Sequence, residues 1–120
     1  MYFKGEKHQT FFESAIDRLP FKPSGRMAAA LYLLTADHSV WKTVRHNVEK
    51  NHICFEKVRL TDVSTNGYVL YRTARDLYLK ETRITVLDLS DQRTVSDLVW
   101  HLIQTAISIK RNGLASVKND

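Results

Sequence analysis

The sequence predicts a mainly α fold, a compact five-helix domain with one or two short strand-like segments. Three observations carry this. Apolar residues recur at helical spacing in five segments, capping residues precede several of them, and only two prolines and four glycines interrupt 120 residues. Residues 1–113 are expected to form a single helical domain and residues 114–120 a flexible C-terminal tail.

Phe11, Phe12, Ala15, Ile16 and Leu19 fall on one face opposite Gln9, Glu13 and Asp17, which predicts a first helix over residues 6–18. It must stop before Pro20, and the stretch to Pro23 reads as an extended connector because each proline biases its predecessor away from helix. Ser24 then offers an N-cap to the run 27–34, which is apolar around its whole circumference. A helix without a polar face is a buried helix, so this one is placed at the centre of the fold. Asp37 or Ser39 caps a third helix, with Val40, Trp41, Val44 and Val48 inward and Lys42, Arg45, His46 and Glu49 outward.

Residues 53–60 and 84–87 alternate weakly, and each reads as a short strand or an irregular packed segment. Thr61 or Asp62 begins a turn toward Asn66 and Gly67. Leu70, Ala74 and Leu77, flanked by Tyr71 and Tyr78, then mark a fourth helix over residues 67–80. The strongest pattern is the last: Val95, Leu98, Val99, Leu102, Ile103, Ala106 and Ile109 form one stripe. Thr94 and Asp97 read as a capping box, while Lys110, Arg111 and Gly113 supply a cationic last turn and a glycine stop. Trp100 and Ile107 lie beside the stripe and widen its apolar arc to about half the circumference. Either this helix is packed between two layers of its own domain, or Trp100 and Ile107 are partner-binding residues, in a homodimer or with another protein.

Composition bounds the function. A chain that is 43% apolar and 26% charged is a folded domain, not a disordered tail. The longest wholly apolar run, residues 27–34, is far below the roughly 18 residues that suggest a membrane span, so no membrane is expected as a partner. The first eight residues lack the apolar core of a signal peptide, and Cys54 is the single cysteine, so no internal disulfide can form and a cytoplasmic location is expected. Net charge is +5, with ten basic against six acidic groups in residues 1–60 and eight against seven in 61–120. Such a field favours an anionic partner, nucleic acid or an acidic protein face, although no basic arm is present.

The chain as a whole resembles an uncharacterised family of small, mostly helical proteins found in Firmicutes genomes and mobile elements. The resemblance rests on Phe3, His8, Phe11 and Phe12, the segment 30–37 (ALYLLTAD), Trp41, the helix with Tyr71, Ala74, Asp76 and Tyr78, and the closing helix with Ile109 and Arg111. These are hydrophobic-pattern motifs spanning residues 2–111. They imply a fold type and a bacterial or phage-associated origin, and no assigned activity. Correspondence is least around Cys54, over residues 80–91 and in the tail.

The chemical motifs are sparse. His46, His52 and Cys54 are zinc-type ligands, but no second paired set completes them, so neither a metal nor another cofactor is expected. Cys54, between Ile53 and Phe55, reads as a small buried hydrophobe. His8, His38 and His101 are conceivable bases and Ser14, Ser39 and Ser96 conceivable nucleophiles. No nucleophile elbow and no phosphate-cradling glycine loop accompanies them, so no enzyme is expected. His8 shares a face with Phe12, Ala15 and Leu19 and reads as a half-buried structural histidine.

The second and third helices, joined by a short connection, resemble helix-turn-helix geometry with Lys42, Arg45 and His46 outward. The connection lacks a turn glycine, Glu49 lies near the same face, and the ordinary solvated face of an αα-hairpin is the better account of the charges. Arg72 and Arg75 with Tyr68 and Tyr71 form a second basic and aromatic cluster. The expectation is a non-enzymatic macromolecule-binding protein of mobile-element or phage origin, with a protein or protein–nucleic-acid complex as partner. By contextual analogy it is an inhibitor of a host defence nuclease of the anti-CRISPR kind. The alternative is a small DNA-binding transcriptional regulator using the helix-turn-helix-like unit.

Overall fold

Every side chain from Met27 to Leu34 is buried, and the rest of the chain is arranged around that fact. The computed structural model describes residues 1–114. It is mainly helical: α1 (Glu6–Asp17), α2 (Gly25–Leu34), α3 (His38–Val44), α4 (Thr65–Leu79), the single turn α5 (Val86–Leu89) and α6 (Asp97–Asn112). Between α3 and α4 lies a two-stranded antiparallel hairpin, β1 (Val48–Glu49) and β2 (His52–Ile53), flanked by short 3₁₀ turns at Arg45–Asn47 and Phe55–Lys57. The all-apolar α2 packs mainly on α4 and α6, while α1 lies against α2 and α3 against α4. A helix with apolar side chains all round needs neighbours on several sides, and these four elements supply them.

Ser24 caps α2 as the sequence predicts, its hydroxyl accepting from Met27 N–H at 3.2 Å. The next residue must be glycine, because a Cβ at Gly25 would stand 2.6 Å from the Lys110 carbonyl oxygen in the last turn of α6. Gly25→Ala is therefore expected to cost about 1–3 kcal/mol, because backbone on both sides has to part. Thermal melting checks this, and an unchanged midpoint would show that the helix ends are free to separate.

Asp37, one of two expected caps, is the one that caps α3: its Oδ1 accepts from Val40 N–H at 3.0 Å. The same carboxylate lies 3.0–3.2 Å from where a Cβ on Gly67 would stand, in the first turn of α4. Glycine there makes room for one carboxylate beside two helix N-termini, where negative charge is favoured.

Four expectations are corrected. The third helix ends at Val44, not beyond Val48: Lys50 adopts a left-handed conformation (φ 52°) that folds the hairpin and pairs Val48 with Ile53. Residues 84–87 are not strand-like; Val86 and Leu87 belong to α5, which holds the capping box, formed by Thr85 and Asp88. The expected box at Thr94 and Asp97 does not form, because Thr94 and Val95 N–H groups donate to the Asp91 carbonyl and Ser96 caps α6 instead. The fourth helix begins earlier, at Thr65 with Ser64 as its cap, and ends on Lys80 in a left-handed conformation. Of the expected tail, Leu114 packs partly buried against the core; residues 115–120 lie outside the described residues.

Candidate functional site

Because α3 buries Val40, Trp41 and Val44, helical geometry sends Lys42 outward, and Arg45 and His46 follow it in the exposed 3₁₀ turn. Arg45 sits between two surface depressions. One is lined by Arg18, Leu19, Trp41, Val48 and Lys50; the other, of ≈ 410 Å³, by Lys42, Thr43, His46, Thr61 and Asp62. The fold thus joins Arg18 from the end of α1 and Lys50 from the hairpin turn to Lys42 and Arg45. None of these four takes part in a salt bridge among the described residues. Asp62 is the acidic group at the rim, and Glu49, also exposed, stands opposite His52 in the hairpin. Sequence reasoning missed Arg18 and Lys50, since they reach this face from separate elements and share no periodicity with α3.

The second expected cluster is placed differently. Arg72 is paired with Asp76 (Nε–Oδ1 3.3 Å) and Glu81, and Arg75 donates to Glu81 at 3.1 Å and to the Tyr71 hydroxyl at 3.3 Å. Asp76 also accepts from Ile84 N–H at 2.7 Å, so this network stitches the end of α4 to the following loop. Tyr71 is buried edge-on against Phe55, whereas Tyr68 is exposed. Two guanidinium groups matched by two carboxylates present little free positive charge.

On α6, Trp100 is half-buried at the edge of the core and Ile107 is 40% exposed, so the apolar arc is covered only in part. Among the conceivable bases, His8 is buried. Its Nδ1 accepts from Lys4 N–H at 3.0 Å, which leaves Nε2–H to donate to the Tyr32 carbonyl at 2.8 Å. Burial pushes its pKa down to about 4, the Tyr32 contact opposes that, and the Lys4 charge adds to it. His38 is exposed against Phe11, and His101 is exposed near Tyr2. Of the serines, Ser96 is a helix cap, Ser39 is exposed and Ser14 is half-buried on α1.

Glu56, rather than His46, joins His52 and Cys54. One ligand atom from each of these three residues lies within 4.8 Å of the others. No helix among the described residues is long and apolar enough to cross a membrane.

The fold and the site together define a mainly α domain in which cations from α3, the 3₁₀ turn after it, the end of α1 and the hairpin turn share one face. Comparison with known proteins finds no matching family model, no matching curated protein and no matching solved structure.

Proposed function

We propose that the protein is a non-enzymatic binding domain that engages an anionic macromolecular partner through Arg18, Lys42, Arg45 and Lys50, with His46 at the margin. The supporting observation is the convergence of these four cations, from four successive or separate elements, around one pair of depressions and without ion pairs among the described residues. A surface of this kind concentrates positive potential and attracts phosphate backbones or acidic protein faces. Ile107 with the half-buried Trp100 offers a separate apolar contact for a protein partner or a second copy. Inhibition of a host defence nuclease is a narrower member of this class, the anionic group being the nucleic acid that such a target holds. That narrower reading rests on analogy of context.

A second reading, the DNA-binding regulator, is favoured by the three-residue connection between α2 and α3 and by the outward Lys42 and Arg45. Seven residues give α3 about two turns, and of the expected Lys42, Arg45 and His46 it carries only Lys42. Both readings are tested by titrating a labelled duplex at about 50 mM salt, where nonspecific attraction is strong. Lys42→Ala and Arg45→Ala are expected to lower the log–log salt slope by about 0.9 for each phosphate no longer neutralised. Arg72→Ala should leave it unchanged. Absence of duplex binding would remove the regulator and point to a protein partner, which capture with a charge-reversed Arg18→Glu, Arg45→Glu control would test.

A further inference from the structure

We propose that His52, Cys54 and Glu56 form a binding site for a zinc-class divalent cation, separate from the basic face. The hairpin and the 3₁₀ turn that follows it place residues at i, i+2 and i+4 on one side, bringing an imidazole nitrogen, a thiol sulfur and a carboxylate oxygen within 4.8 Å of one another. Zinc bonds of about 2.0–2.3 Å in a tetrahedron put ligand atoms roughly 3.3–3.6 Å apart. The trio needs to close by about 1 Å. Glu56 is exposed, His52 is exposed with one ring nitrogen against the Tyr78 hydroxyl, and Cys54, 7% exposed, is the fixed member.

The mixed nitrogen, sulfur and oxygen set selects a borderline-soft ion over magnesium or calcium, which take oxygen alone. The surroundings suit a ligating histidine. The Tyr78 hydroxyl lies 3.2 Å from His52 Nδ1 and also accepts from Ile53 N–H at 3.2 Å. Coordination through Nε2 keeps that contact, with Nδ1–H donating to the phenol oxygen, the kind of outer contact that orients metal-bound imidazoles. Three protein ligands leave one tetrahedral position for water or a partner's group. As the sulfur–metal bond forms, the Cys54 thiol releases its proton to solvent, so affinity rises with pH.

The test is a cobalt(II) titration of the metal-free protein, followed by zinc displacement. Expected are one equivalent of cobalt bound, a thiolate-to-cobalt charge-transfer band, loss of that band when zinc is added, and no band in Cys54→Ser. Should Cys54→Ser fail to fold, the exposed pair carries the test: His52→Gln and Glu56→Gln are each expected to weaken zinc binding at least about ten-fold in a chelator competition. No charge-transfer band with millimolar cobalt, or unchanged affinity in either of these two variants, would overturn the site.

Discussion

Leu33→Ala is expected to remove about 3 kcal/mol of stability and to lower the melting temperature by on the order of 10 °C. Leu33 is fully buried on α2, which packs against both α4 and α6. Those neighbours are held by their own caps at Ser64 and Ser96, so they cannot collapse far into the space a leucine leaves. The loss therefore combines the transfer of the missing methyl groups with an unfilled cavity. Leu87→Ala is the internal comparison: Leu87 is 80% exposed, and its truncation should change stability by no more than about 0.5 kcal/mol. Equal shifts in the two melting curves would contradict the central position of α2.

Mild acid is expected to destabilise the fold through His8 before the carboxylates respond. In the folded chain the ring is neutral, with Nδ1 engaged as an acceptor and Nε2–H as a donor, and its pKa is lowered from 6.5 to about 4. The unfolded chain therefore binds the proton more readily. The stabilising contribution of the neutral ring is complete above about pH 6.5 and is lost as pH falls through 4, for a total of about 3 kcal/mol. Between pH 6.5 and 5 most carboxylates remain ionised, so this window reports His8. Denaturant midpoints measured across it should fall for the native chain and stay nearly flat for His8→Gln. Parallel curves would show that the ring is not the titrating group.

How much of this was legible in the sequence depends on the range of the interaction. The central helix was, because eight consecutive apolar residues leave no polar face, and so was its cap, because Ser24 precedes the run directly. The end of the third helix was not: Val48 keeps the helical spacing, and only the left-handed Lys50 reveals a turn that the pattern hides. The cap of the last helix was misplaced by two residues because Thr94 and Ser96 can both cap a helix, and Asp97 three residues after Thr94 resembles a capping box. The preceding turn at Asp91 decides between them. Charges were the least legible. Arg75 looks free on a helical wheel until the chain passes the left-handed Lys80 and returns Glu81 to it, and Glu81 also joins Arg72, whose partner Asp76 the wheel places four residues on. His52 and Cys54 were visible as a pair, but Glu56 joins them only through the 3₁₀ turn.

The Asp37 carboxylate has a bearing on how the basic face meets a partner. It caps the start of α3, abuts the start of α4, and sits directly before the segment that carries Lys42 and Arg45. The platform beneath those cations is therefore preorganised: its backbone is fixed by a capping bond and by packing before any encounter. Association at this face would lose side-chain rotamer freedom but little backbone freedom, which keeps the ordering cost to about 0.5–1.5 kcal/mol for each immobilised side chain. Under the binding role proposed above, affinity at this face would depend on how many of the four mobile side chains a ligand can reach at once, with the backbone anchor of Lys42 set in advance.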